Sequence, residues 1–193
     1  MNNREKTRKL TGVAIFTALV IVLQLLGSFI KFGPFSVSLT LIPIVVGAAL
    51  YGPAAGAWLG FVFGVVVLVS GDAAPFLAVS VAGTVFTVLV KGALAGFIAG
   101  VVYSMLKNSN VWVAAICAAL ICPVVNTGVF LLGCKLFFMD TIAAWGEALG
   151  FDSVGRYMIF GLVGGNFIFE VLFNIVLSPV IVRLIRIAKK DED

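Results

Sequence analysis

Residues 76–106 read FLAVSVAGTVFTVLVKGALAGFIAGVVYSML, a run in which Lys91 is the only charged side chain. It exceeds the roughly 20 apolar residues that a helix needs to cross about 30 Å of hydrocarbon. The polar positions Ser80, Thr84, Thr87 and Lys91 are spaced four, three and four. At the helical period they fall on one narrow stripe. Lipid cannot satisfy hydroxyls and an amine, so the stripe is expected to face a protein interior or a water-filled cavity.

Outward from this run the rest of the chain has the same character. Of 193 residues, 62% are hydrophobic and 11% charged, and the mean hydropathy is +1.18. The expected class is an all-α integral membrane protein, a single transmembrane domain over 1–193. Its spans are placed at about 10–30, 39–50, 54–70, 76–106, 111–138 and 157–187. Tyr51-Gly-Pro53, Gly71-Asp-Ala-Ala-Pro75 and Lys107-Asn-Ser-Asn110 supply turn chemistry between spans. The first apolar stretch shows no small-residue cleavage pattern before Phe35 and reads as a span, not a removable leader.

Six spans bring both termini to one side. Arg4, Lys6, Arg8 and Lys9 then share a face with Lys107, Arg183, Arg186, Lys189 and Lys190, whereas only Lys31 and Arg156 sit clearly in loops of opposite parity. The positive-inside rule makes both termini cytoplasmic and puts 31–38, 71–75 and 139–156 outside. The expected location is a multi-pass cell membrane, the prokaryotic plasma membrane. Because basic residues of a membrane protein collect on cytoplasmic loops, the net charge of +4 does not imply a nucleic-acid partner.

A lysine or carboxylate at mid-membrane depth costs about 2.5–3.5 kcal/mol even on the lenient insertion scale, so Lys91 and Glu170 are candidates for function. Asn166, Glu170 and Asn174 recur every four residues on one face of the last span, and Asn126 and Thr127 lie near the middle of the fifth. Two readings stand for the Lys91–Glu170 pair: a ligand site, or a structural ion pair. Lys135 either reaches the same cavity around a bend or snorkels to the outer interface. For Ser80 and Thr84 function competes with interhelical hydrogen bonding, which averages about 0.6 kcal/mol; for Asn174 such bonding is the favoured role. Ala14 with Ala18, and Gly47, Gly56, Gly60 and Gly64, permit close helix–helix approach, and internal packing is the simplest use of such small residues.

Cys117, Cys122 and Cys134 fall in one apolar stretch and read as packing residues. Histidine is absent, which removes the commonest transition-metal ligand and proton shuttle. No metal or cofactor is expected. Without a Gly-x-x-x-x-Gly-Lys-Ser/Thr phosphate loop the chain does not hydrolyse ATP itself, and no nucleophile elbow or zinc motif points to an enzyme.

Taken together, the basic termini, Ala14 and Ala18, the run Leu41-Ile-Pro-Ile-Val-Val-Gly-Ala-Ala-Leu-Tyr-Gly-Pro-Ala-Ala-Gly56, and the later Pro123-Val-Val-Asn-Thr-Gly128 and Gly164-Gly-Asn166 stretches carry a resemblance. Over essentially its whole length the chain resembles the substrate-binding S components of energy-coupling-factor (ECF) transporters of the B-vitamin type, closest to the pantothenate group. The resemblance implies capture of a vitamin near the outer face. It also implies docking of the Ala14–Ala18 surface on a transmembrane T subunit, and inward release driven by two cytoplasmic ATPases. Lys91 suits a carboxylate-bearing ligand such as pantothenate, with riboflavin and folate as alternatives. Glu170 would orient Lys91 or accept from the ligand. Thr84, Thr87, Asn126 and Asn166 would add hydrogen bonds, and Phe35 and Trp145 would cover the pocket. Two rival readings are a stand-alone secondary transporter or channel with Glu170 as proton or cation site, and a membrane adaptor whose polar groups only hold helices together.

Overall fold

The structure is a computed structural model describing residues 3–29, 31–32, 35–36 and 39–190, with side chains outside the description at 31–36 and 188–190. The side chains of Lys31, Phe35, Lys189 and Lys190, and the tail 191–193, therefore lie outside the described residues.

Glycine sets the closest helix contact. Helices α3 (Pro53–Val69) and α5 (Val81–Leu106) run antiparallel, with Gly56 against Gly96 and Gly60 against Gly92. A Cβ built on Gly60 would strike the Gly92 carbonyl, and one on Gly96 would strike the Gly56 carbonyl. The two backbones thus touch directly, the packing that small residues permit between membrane helices. Internal packing is the role the structure gives Gly56 and Gly60. Gly47 serves it too, seated against Leu59 and Phe16.

The remaining helices alternate around this pair. Helix α1 (Asn3–Gly27) lies parallel to α3 and antiparallel to α2 (Leu41–Tyr51). Gly12 sits against the Tyr51 ring, Thr17 Oγ1 accepts from Trp58 Nε1 at 3.1 Å, and Gln24 reaches Asp72. Helix α6 (Val111–Phe137) returns along α5, with Gly83 beside Phe137 and Gly133 beside Thr87. The last helix, α9 (Gly165–Lys190), returns along α6: the Arg186 guanidinium lies 5.3 Å over the Trp112 ring, and Asn174 bonds Ala119. Both ends of the described chain therefore lie at one end of the bundle. Helix α2 is enclosed; none of its residues is exposed.

Four described helical stretches are long and apolar enough to cross a membrane: Asn3–Gly27, Val81–Leu106, Val111–Phe137 and Val154–Ile187. Helices α2 and α3, at 11 and 17 residues, are shorter. The Tyr51-Gly-Pro53 connection is a tight joint, in which Gly52 takes φ +94° and Pro53 opens α3. That conformation suits glycine, and proline fits the first helical turn, where no N–H partner is needed.

The segment expected as continuous over 76–106 is broken. A short turn of helix, α4 (Ala74–Leu77), precedes Ser80, which is extended and accepts from Gly83 N through Oγ at 3.2 Å. Ser80 is thus an N-cap satisfying an orphan donor, and it leaves the polar stripe. The loop expected at 139–156 contains helix α7 (Met139–Ala148), and the expected first span at 10–30 belongs to a helix that begins at Asn3. Two two-residue strands, β1 (Lys31–Phe32) and β2 (Phe35–Ser36), pair antiparallel in the 31–38 connection.

Both mid-helix prolines have their missing hydrogen bonds replaced. Pro123 in α6 has no N–H for the Ala119 carbonyl, and Asn174 Nδ2 donates to that oxygen at 3.1 Å. Pro179 in α9 likewise leaves the Ile175 carbonyl without its donor, and Ser178 Oγ donates to it at 2.7 Å. Asn174 is therefore a structural tie between helices, as its position suggested. Before α9 the chain passes through helix α8 (Val154–Arg156) and a π-helical stretch, Tyr157–Gly164. Such wider turns frequently accompany functional sites, and Asn166 lies two residues beyond this one.

A two-part binding cavity

Helices α1, α3, α5, α6 and α9 and the turn at α4 surround a cavity of about 550 Å³, including the space at its mouth. Phe63, Phe76, Phe130 and Phe138 make its aromatic walls, and Gln24, Asp72, Thr84, Thr87, Lys91 and Asn166 supply the polar groups. A second space of about 290 Å³ adjoins it between α6 and α9. It shares Lys91, Phe130 and Asn166 with the first and adds Asn126 and Thr127.

Lys91 stands where the two spaces meet. Its Nζ lies 5.2 Å from the centre of the Phe130 ring and 5.7 Å from that of Phe63. Lys91 is partly buried, and an ammonium over an aromatic face gains about 0.5–1 kcal/mol where exposed and about 2 kcal/mol where desolvated. No hydrogen bond or ion pair reaches it among the described residues.

Around this cation three buried oxygen atoms have no hydrogen-bond partner among the described residues: Thr87 Oγ1, Asn126 Oδ1 and Asn166 Oδ1. Thr87 is 3% and Asn126 4% exposed. Buried polar atoms in folded proteins are nearly always paired, so a cluster of exceptions on one cavity calls for an explanation. Thr84 donates to the Ser80 carbonyl at 2.7 Å and keeps its oxygen as an acceptor toward the cavity.

Glu170 has a different place from the one expected. It is 1% exposed and belongs to neither cavity wall. Its Oε1 accepts from Asn166 Nδ2 at 2.9 Å, which fixes that amide with Oδ1 as the remaining acceptor. Trp145 also stands behind the wall: it meets Phe76 edge-on at 5.5 Å, and Phe76 in turn contacts Phe130 at 5.4 Å and Phe138 at 5.2 Å. Lys135 is exposed and lines neither space. Ala14 and Ala18 are exposed on α1, beside an apolar groove that Leu10, Val13, Ala14, Thr17 and Trp58 line.

The polar wall residues Gln24 and Asp72 and the aromatic ones Phe63, Phe76, Phe130 and Phe138 were not among the expected site. Asp72 did carry a signal: it is the one acidic residue between Glu5 and Asp140.

The sequence model of the family described as "ECF transporter, substrate-specific component" matches residues 8–185. The chain is 27% identical over 207 aligned positions to the pantothenic acid transporter PanT of Lactococcus lactis subsp. cremoris (strain MG1363), covering 97% of this chain and 98% of that protein. Its fold resembles ThiT from Listeria monocytogenes with a TM-score of 0.69 at 22% identity, over 96% of this chain and 97% of that one.

Proposed function

The chain belongs to the substrate-specific components of ECF transporters, and on that premise we propose that it binds pantothenate in the cavity around Lys91. The observation that carries this reading is a lysine without a hydrogen-bonded or ion-paired partner among the described residues, set among three orphaned acceptors around one aromatic-walled cavity. An ammonium in aromatic surroundings suits a carboxylate, and the acceptors suit amide and hydroxyl donors; pantothenate carries all three groups. The full-length likeness to a pantothenic acid transporter supports the choice, with riboflavin and folate as the other vitamins to test. Glu170 acts as a positioning residue through Asn166. Its place behind the wall disfavours an ion pathway built on it.

In this reading six helices span the membrane with both basic termini cytoplasmic, and the cavity loads from the opposite face. Energy comes from two cytoplasmic ATPases through a T subunit, which docks on the exposed Ala14–Ala18 face of α1. The exposure of that face on the least buried of the four long helical stretches agrees with a partner there.

A thermal-shift screen of the purified protein against pantothenate, riboflavin and folate tests the ligand. At 100 times its dissociation constant a ligand stabilises by about 2.7 kcal/mol. If no vitamin shifts the transition, the reading fails. In the Ala14→Leu/Ala18→Leu variant pantothenate should still bind while co-purification with the T subunit is lost. An undiminished complex would refute the docking face.

A further inference from the structure

Asp72 sits in the turn that follows α3, just after Gly71 with φ +86°, and forms part of the wall of the larger cavity. Two donors converge on one of its oxygens. Gln24 Nε2 donates to Oδ2 at 3.0 Å and Ser70 Oγ donates to the same atom at 2.9 Å. The glutamine is itself held: Thr40 Oγ1 donates to its Oε1 at 3.2 Å, and Gln24 and Thr40 are 1% and 0% exposed. With Oε1 taken by a donor, Nε2 must point to the carboxylate. The network therefore clamps Oδ2 from behind and leaves Oδ1 without a partner among the described residues. A carboxylate oxygen is acceptor-only, so a group that completes it must carry N–H or O–H.

The position matters as much as the chemistry. Gln24 lies three residues from the end of α1, and Asp72 lies beyond the end of α3. Lys91 is ten residues into α5, about three turns from its start. The two charges thus occupy different levels of one cavity, with the hydroxyls of Thr84 and Thr87 between them. We propose that Asp72 is the second pole of the cavity, accepting hydrogen bonds from hydroxyl groups at the end of the ligand remote from its carboxylate. This rests on the pantothenate reading and sharpens it: the site selects an elongated molecule with an anion at one end and hydrogen-bond donors at the other. Gln24, Ser70 and Thr40 are positioning residues for that acceptor. A dicarboxylate of the same length would meet like charge at Asp72.

Calorimetric titration with three probes tests this: pantothenate, its analogue lacking both hydroxyls, and panthenol, in which an alcohol replaces the carboxylate. On the wild-type protein the dideoxy analogue should bind at least roughly tenfold more weakly than pantothenate, because hydrogen bonds to charged groups are the strong ones. In Asp72→Asn, pantothenate and panthenol should both weaken by a similar factor while the dideoxy analogue is unaffected. Equal losses for all three probes would make Asp72 merely structural and overturn the proposal. So would a wild-type protein that does not discriminate against the dideoxy analogue, a result independent of whether the variant folds. Failure of pantothenate to bind the wild-type protein would overturn the underlying reading, and this proposal with it.

Discussion

A Lys91→Met variant is expected to lose at least roughly 30-fold in affinity for pantothenate, while the unliganded protein unfolds at the same temperature or a higher one. The loss follows from removing one partner of a buried charge pair, which costs about 2–5 kcal/mol, at 1.4 kcal/mol per factor of ten. The stability half of the expectation separates two roles. If Lys91 serves chiefly to neutralise Glu170, methionine strands a buried carboxylate and destabilises the protein by about 3–5 kcal/mol. If it serves the ligand, the empty protein is relieved of a partly buried ammonium whose contacts among the described residues are the faces of Phe63 and Phe130, and methionine keeps the length of the stem. Thermal unfolding with and without pantothenate reads both quantities. A large loss of stability with an unchanged ligand shift would sink the binding role.

Gly60→Leu is expected to abolish the folded bundle, and Gly60→Ala to destabilise it by about 1–3 kcal/mol or more. The obstacle is the Gly92 carbonyl, part of a backbone that cannot rotate aside as a side chain can. Relief requires α3 and α5 to move apart, which disturbs the neighbouring Gly56–Gly96 contact and the stripe on α5 that carries Thr84, Thr87 and Lys91. Gly128 is the control. A Cβ there meets nothing within 4 Å, and alanine is favoured over glycine inside a helix by about 0.5–1 kcal/mol. Gly128→Ala should therefore be neutral or stabilising in the same detergent melt. Equal sensitivity at Gly60 and Gly128 would contradict the contact.

Which parts of the site could be read from the sequence follows from the range of the signals. Thr84, Thr87 and Lys91 were legible because helical periodicity is local and a lysine in lipid stands out. Ser80 obeyed the same spacing yet was claimed by a stronger local demand, the unsatisfied N–H groups at the start of α5. The four-residue spacing of Asn166 and Glu170 was read as two groups reaching one cavity. At that spacing they are also within reach of each other, and their hydrogen bond takes Glu170 off the wall. Asp72 looked like an ordinary turn residue, and Gln24 like an isolated polar residue in an apolar helix. Their partnership spans 48 positions, and no local pattern announces a contact of that length. The π-helical turn before Asn166 changes the register by which side chains face the cavity, and such a change leaves no mark in an apolar run.

The enclosure of α2 has a consequence for biogenesis. Its eleven residues rise about 16 Å, roughly half the thickness of the hydrocarbon. Such a segment has no stable transmembrane position until other helices surround it. A reporter placed after Tyr51 in a chain truncated there should stay on the side opposite the N-terminus, and should change sides only once α3 and α5 are present to receive it. For α2, entering the membrane and joining the core are then a single event, and the joint at Gly52 is where synthesis of the chain and assembly of the protein meet.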